Sequence, residues 1–224
     1  MIISNESPRS AAKPASESYT IKASIVLPPD TNHHGTIFGG KLMAYIDDVA
    51  TIAATRHARR PVVTASTDSV DFLHPVKKGD AVCLTAFVTW THKTSMEIFV
   101  RVVTEDLLSG ERKVCATSFL TFVALGDDGK PTDVPAVIPQ TAQERKLYDT
   151  APLRKEARKI RRQESKEFAE VFGTDYRLTR QAKQPGSNVI EFKPQEHKIQ
   201  EPAAQQPKMS SAMDAFAQSF GVEW

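Results

Sequence analysis

The chain holds 224 residues, with 29 Lys and Arg against 27 Asp and Glu, a net charge of +2, and 40% hydrophobic residues. That length allows one medium domain with an appendage, or two small ones, and the near-neutral charge gives no electrostatic case for a nucleic-acid or membrane partner. The hydrophobic content is low for a chain packed from end to end, and no apolar run reaches the length of a membrane span. Cys83 and Cys115 form neither a CxxC pair nor a ligand cluster; both sit in apolar strand-like runs and read as buried reduced thiols.

Residues 1–18 lack the apolar core of a secretory signal and the basic excess of a transit peptide. They are expected to be a flexible tail on a cytoplasmic protein. Pattern begins at Tyr19. Ile21, Ala23, Ile25 and Leu27 alternate with polar neighbours, predicting a half-buried strand that Pro28 and Pro29 end. A polar, turn-rich segment over 30–36 leads into a helix over 38–57. Pro61 precedes a strand over 62–72, which Pro75 and the turn at 77–80 close. Strands over 81–91 and 95–105 flank the turn His92, Lys93, Thr94, and a last strand covers 114–123 before the turn at 126–131.

One long helix followed by consecutive strands predicts an α+β fold, with the helix against one face of a curved antiparallel sheet; a single helix does not fit a βαβ repeat. Residues 140–172 are helix-prone and heavily charged, and Pro152 is expected to divide them. Arg154, Lys155, Arg158, Lys159, Arg161 and Arg162 are read as the solvated face of a helix lying on an oligomer. Beyond Arg180 the composition turns to that of a disordered linker. Met209, Met213, Phe216 and Phe220 have the spacing of a short terminal helix. The expected organisation is a tail over 1–18, a folded domain over 19–135, a charged helical extension over 136–179 and a disordered tail over 180–224.

The segment 30–48, DTNHHGTIFGGKLMAYIDD, carries the chemistry. On a helical wheel Leu42, Ile46, Val49, Ala50 and Ala53 form the core face, with Met43 at its edge. Asp48 points almost the opposite way and reads as a solvated charge. Asp47 lies about 100° from the centre of the apolar face. Partial desolvation on such a shoulder raises a carboxylate's pKa and strengthens it as a base. From periodicity alone, a strand cap or an exposed charge fits Asp47 equally well. Gly39 and Gly40 open the helix, where the first N–H groups are unpaired and carry the positive end of the dipole. Glycine there lets another group come close to the backbone, so these N–H groups can hold a developing oxyanion; tight packing of the helix start on the sheet is the alternative.

Two other motifs fail. GTIFGGK over 35–41 matches most of a phosphate-binding loop, but Leu42 stands where a magnesium-binding Ser or Thr belongs, and no buried strand precedes it. His33 and His34 have no further ligand at metal spacing, and as loop neighbours are expected to diverge, so no metal site is expected.

The segment from Asn32 through Gly35, Phe38, Gly39 and Gly40 to Asp47 resembles the helix-entry motif of hotdog-fold acyl-CoA thioesterases, most closely the bacterial subgroup related to eukaryotic cytosolic long-chain acyl-CoA hydrolases. The stretch 63–76, VTASTDSVDFLHPV, is similar to that family's second strand, and 76–80 and 119–124 to later strands. The resemblance covers roughly 19–135 and implies a hotdog fold: a long helix wrapped by an antiparallel sheet, paired edge to edge into dimers and often trimers of dimers, with sites at subunit interfaces. It implies hydrolysis of acyl-CoA to acid and CoA, with CoA as part of substrate and product and no separate cofactor. Asp47 would be general base or nucleophile. Asn32 would position thioester or water, and the N–H groups near Gly39 and Gly40 would form the oxyanion hole. Thr36 falls where some relatives carry Asn or Asp, so no role carries over to it. Lys93, Thr94 and Ser95 would meet the CoA phosphates, with Arg101 and Lys113 as weaker candidates. A non-catalytic acyl-CoA-binding module is the alternative function; a hydratase or dehydratase ranks last, because the helix lacks the histidine expected there. Acyl-chain preference is not readable.

Overall fold

The structure, a computed structural model, describes residues 11–173. The expectations for the disordered tail and its terminal helix lie outside the described residues. In chain order the elements are β1 (Lys13–Pro14), β2 (Thr20–Ile25), α1 (Gly39–Ala58), β3 (Val62–Phe72), β4 (Ala81–Thr91), β5 (Ser95–Glu105), β6 (Arg112–Ala124), β7 (Val137–Ile138) and α2 (Ala142–Phe172). Five strands form an antiparallel sheet in the order β2-β4-β5-β6-β3, and β1 pairs with β7 in parallel.

The helix α1 buries the stripe that its period predicts. Leu42, Ile46, Val49, Ala50 and Ala53 are essentially inaccessible, while Met43 at the stripe's edge is half exposed. Each large aliphatic buried this way contributes about 1.5–3 kcal/mol. Val82, Leu84, Ala86 and Val88 of β4, Ile98 and Val100 of β5, and Leu120 and Phe122 of β6 belong to the same core. Register shifts in β3, in β4 between Val88 and Trp90, and where β5 meets β6 bend the sheet around the helix. Helix α1 stops at Arg59, whose left-handed backbone (φ 54°) turns its N–H to the Thr55 carbonyl, and Pro61 follows.

Three expectations are corrected. Residues 13–18, assigned to a loose tail, are packed: Ala15 and Ser18 are buried, Ser18 Oγ accepts from the Val88 N–H at 2.9 Å, and Lys13 Nζ donates to the His57 carbonyl at 2.8 Å. The apolar residues of β2 face outward. Ile21, Ile25 and Leu27 are more than half exposed, whereas Lys22 reaches Asp48 on the α1 side. Alternation separates two faces of a strand and does not say which one the chain itself covers. Finally, α2 runs unbroken through Pro152. Thr150 Oγ1 donates to the Lys146 carbonyl at 2.8 Å and Arg154 Nη2 to the Leu147 carbonyl at 2.6 Å, so side chains serve carbonyls around the proline. Thr141 and Glu144 start α2 with a reciprocal capping box.

His57, near the end of α1, is buried. Its Nε2 lies 2.9 Å from the Pro135 carbonyl, the geometry of a neutral Nε2–H tautomer, and its Nδ1 has no partner among the described residues. Burial holds its pKa below the ordinary 6.5. Between the lowered folded pKa and about 6.5 the unfolded chain binds more protons, so stability rises with pH across that window and is lost on acidification through it. The thermal midpoint is expected to fall between pH 7.5 and 5.5, and His57→Gln, which keeps an N–H donor, should flatten that slope. An equal slope in the variant would assign the effect elsewhere.

Candidate active site

The chain enters α1 through a closed loop. The Asn32 N–H donates to the Thr36 carbonyl at 2.9 Å and the Gly35 N–H to the Asn32 carbonyl at 3.0 Å, with Gly35 at φ 73°. The Asn32 side chain tightens this turn: its Oδ1 accepts from the His34 N–H at 2.9 Å and its Nδ2 donates to Thr36 Oγ1 at 3.0 Å. The role found for Thr36 is therefore to orient Asn32. The His33 and His34 rings, expected to diverge, lie with centroids 3.8 Å apart, and no third metal-binding side chain joins them among the described residues.

At the helix start, Lys41 and Leu42 N–H groups both donate to the Phe38 carbonyl, while the Gly39 and Gly40 N–H groups have no acceptor among the described residues. Neither glycine has positive φ. A Cβ on Gly39 would sit 3.7 Å from the Phe72 ring, an ordinary contact; on Gly40 it would meet the movable ring of Phe38 at 2.6 Å. The fold of one chain thus does not require glycine at 39, and the packing explanation for it fails.

Asp47 is half-buried on the shoulder of α1 and accepts a hydrogen bond from Thr64 Oγ1 at 2.9 Å. Asp48 is exposed and pairs with Lys22 on β2. The two consecutive acids therefore reach strands at opposite edges of the sheet, Asp47 to β3 and Asp48 to β2. Thr64 escaped sequence reasoning because β3 is rich in hydroxyls (Thr64, Ser66, Thr67, Ser69) and nothing local marks the one that faces the helix.

With a rise of about 1.5 Å per residue, Asp47 lies roughly 10 Å along the helix from Gly40. No hydrogen bond joins Asn32 to Asp47. Lys93, Thr94 and Ser95 form the β4–β5 turn. Ser95 pairs with Val123 and Val123 with Val63, so this turn lies at the same sheet end as Thr64, about 10 Å away across two strand spacings. Arg101, exposed near the other end of β5, pairs with Thr117, and the structure does not bring it to that group. Lys113 bridges Glu111 at 3.0 Å. Both cysteines are free; burial pushes the Cys115 thiol up to about 11, so it is not a nucleophile near neutral pH.

The profile of the Thioesterase superfamily matches residues 34–111. The Bacillus subtilis protein YkhA, named an uncharacterized acyl-CoA thioester hydrolase, is 55% identical over 159 residues, which is 71% of this chain and 92% of YkhA. This chain belongs to the thioesterase superfamily. Its hotdog fold is shared with solved members. A crystal structure of an apo-hexameric acyl-CoA thioesterase is 55% identical, covers 68% of this chain and 97% of its own, and superposes with a TM-score of 0.67. An acyl-CoA hydrolase from Staphylococcus aureus, solved with butyryl coenzyme A, coenzyme A and coenzyme A disulfide, is 49% identical over 73% of this chain and 99% of that one, with a TM-score of 0.69. That hydrolase has also been solved as three variants, each replacing one Asp, Thr or Asn by alanine; the intervals between those positions equal those between Asp47, Thr64 and Asn32.

Gly39→Ala is expected to fold with thermal stability unchanged or raised by up to about 1 kcal/mol, since alanine is the better helix former and meets only an ordinary contact. A loss of several degrees in a melting scan would show instead that packing demands the glycine.

Proposed function

We propose that this thioesterase hydrolyses acyl-CoA to a free carboxylic acid and CoA, with Asp47 as the acid that activates water or attacks directly. The observation that carries the reading is the hydrogen bond from Thr64 Oγ1 to Asp47 Oδ1, which fixes the carboxylate and leaves Oδ2 for a water. In the base form, Oδ2 takes a proton from water as its oxygen bonds to the thioester carbon. The carbonyl oxygen becomes an oxyanion, and as it collapses the C–S bond breaks and the CoA sulfur takes up a proton. In the nucleophile form Asp47 makes a transient anhydride that water opens. Alanine variants at equivalently spaced positions in the Staphylococcus aureus hydrolase support looking to Asn32, Asp47 and Thr64 together.

The oxyanion donors in this reading are the Gly39 and Gly40 N–H groups of a neighbouring subunit. Two observations support that. The helix start and the acid are separated by roughly 10 Å along α1, and β3 is an edge strand with Val63 and Phe72 about half exposed, a surface that proteins seldom leave uncovered. In this reading an oligomer joins its sheets through β3, covering that edge and bringing the two halves together; the solved apo acyl-CoA thioesterase is itself hexameric. In this reading Lys93, Thr94 and Ser95 supply a cation and hydroxyls to the phosphates of CoA, and Arg101 joins them only across subunits. CoA enters as substrate, so no separate cofactor is called for. No described helix is long and apolar enough to cross a membrane, and a cytoplasmic location belongs to the same reading.

Asp47→Ala should lower the rate of CoA release, followed with a thiol reagent, by at least about 100-fold in an intact oligomer. Asp48→Ala should change it less than about twofold, because it loses only an exposed ion pair. Near wild-type turnover in the first variant, or a large loss in the second, would sink the assignment; tight binding of an acyl-CoA without turnover by the wild type would favour a binding module.

A further inference from the structure

Beyond its first turns, which bury Ala151 and pack Tyr148 on the core, helix α2 turns apolar residues to solvent: Leu153, Ile160, Phe168 and Val171 are 75%, 56%, 63% and 80% exposed. Lys155, Arg158, Lys159 and Arg162, spaced as one helical stripe, border a cleft of about 600 Å³ against β3 and β6, with Arg158 turned in toward the sheet and Lys159 and Arg162 exposed at the rim. The expectation of a merely solvated basic face is thus corrected. Arg154 Nη2 contacts Glu97 Oε1 at 2.7 Å, Arg158 reaches both Glu97 and Asp68, and Arg161 Nη2 contacts Asp68 Oδ1 at 2.8 Å. Glu97 is fully buried on β5, so two of these arginines answer a buried charge that would otherwise be costly.

Those pairs do not account for the rest of the stripe. Lys155 has no carboxylate partner among the described residues and lies with its Nζ 5.6 Å from the centre of the Trp90 ring, Arg162 has no carboxylate partner among them, and Lys159 meets the exposed Glu156 at 3.4 Å. Like charges at this spacing weaken a helix by a few tenths of a kcal/mol per pair. The cleft floor adds a second, independent observation. Thr121 Oγ1 is buried there with no hydrogen-bond partner, between Glu97 and Ser66 in the sheet register. An orphaned buried hydroxyl beneath unneutralised cations marks room for an acceptor. Ala65 is the one apolar residue among those lining the cleft, and the rest of its apolar surface comes from the stems of the lysine, arginine and threonine side chains. Its volume is that of an ordinary small-molecule site.

We propose that this cleft binds the phosphate groups of a small anionic metabolite, at a site across the sheet from Asp47. Arginine forks, lysine ammonium groups and hydroxyl donors are the chemistry that recognises phosphate. Thr64 turns toward α1 while Ala65 and Ser66 line the cleft beneath α2, so the edge strand β3 separates the two sites. Two sources present this chemistry: the nucleotide end of a second CoA molecule, apart from the one whose thioester meets Asp47, or a free diphosphate-bearing metabolite. Binding does not depend on hydrolysis, so failure here and failure of the thioesterase mechanism are distinguishable.

The test is calorimetric titration of the full-chain oligomer with inorganic pyrophosphate at low salt, beside the double variant Lys155→Gln, Arg162→Gln and each single variant. Neither residue belongs to the catalytic group or to a described ion pair, so the variants should keep the wild-type fold and oligomer size. The wild type is expected to bind with a Kd below about 1 mM, and the double variant at least about tenfold more weakly. Displacement of bound pyrophosphate by free CoA would identify a CoA nucleotide as occupant; no displacement would identify a separate metabolite. Absence of pyrophosphate binding by the wild type, or equal binding by the wild type and every folded variant, would overturn the proposal.

Discussion

The burial of one stripe of α1 against the curved sheet is the constraint from which the rest of the molecule follows. Leu42, Ile46, Val49, Ala50 and Ala53 fill the concave face, and turning the helix by one residue, about 100°, would bring charged side chains into that space. This phase leaves Asp47 and Asp48 on opposite shoulders, one meeting Thr64 on β3 and the other Lys22 on β2. Neither polar contact is strong enough to set the helix; an exposed ion pair contributes about 0–1 kcal/mol, while each buried aliphatic contributes more. The core aims the acid, and the hydrogen bond from Thr64 holds its final orientation.

A second constraint comes from length along the helix. The glycine N–H groups and Asp47 sit on one rigid element, roughly 10 Å apart, and in the proposed reading a chain gives each to a different site. Its surface agrees with that division. The edge strand β3 has half-exposed Val63 and Phe72, and the outward face of β2 shows Ile21 and Ile25. Apolar residues on strand faces and edges that one chain leaves open are suited to contacts between copies. In this account oligomerisation completes the chemistry and also covers the surfaces that the fold exposes.

Much of this was legible in the sequence because turn chemistry is local. Prolines and short polar turns bound β3, β4 and β5, and the observed limits agree with those expected. The helical phase of Asp47 was equally legible, since a period of 3.6 residues over five apolar positions has one solution. What the sequence left unread depends on distant partners. The apolar side of β2 faces away from α1, and an alternating pattern does not carry that information. Pro152 sits inside a continuous helix because Arg154, held by a buried glutamate 57 residues earlier in the chain, also serves a carbonyl near the proline. Thr64 is one hydroxyl among several, distinguished only by the bulged strand that turns it toward Asp47. Glu97 reads as the polar beat of an alternating strand until α2 is seen to cover it.

The central claim, that the acid of one subunit works with the helix start of another, is tested most directly by complementation in mixed oligomers. Asp47→Ala chains and Gly39→Val chains, each inactive as pure oligomers, would be co-expressed with different tags and the mixed species isolated. If the site is shared across an isologous pair, a mixed pair carries one doubly altered and one unaltered site, and random pairing restores about a quarter of wild-type turnover. Mixed oligomers that stay as inactive as the parents would place both halves of the site in one chain and contradict the account.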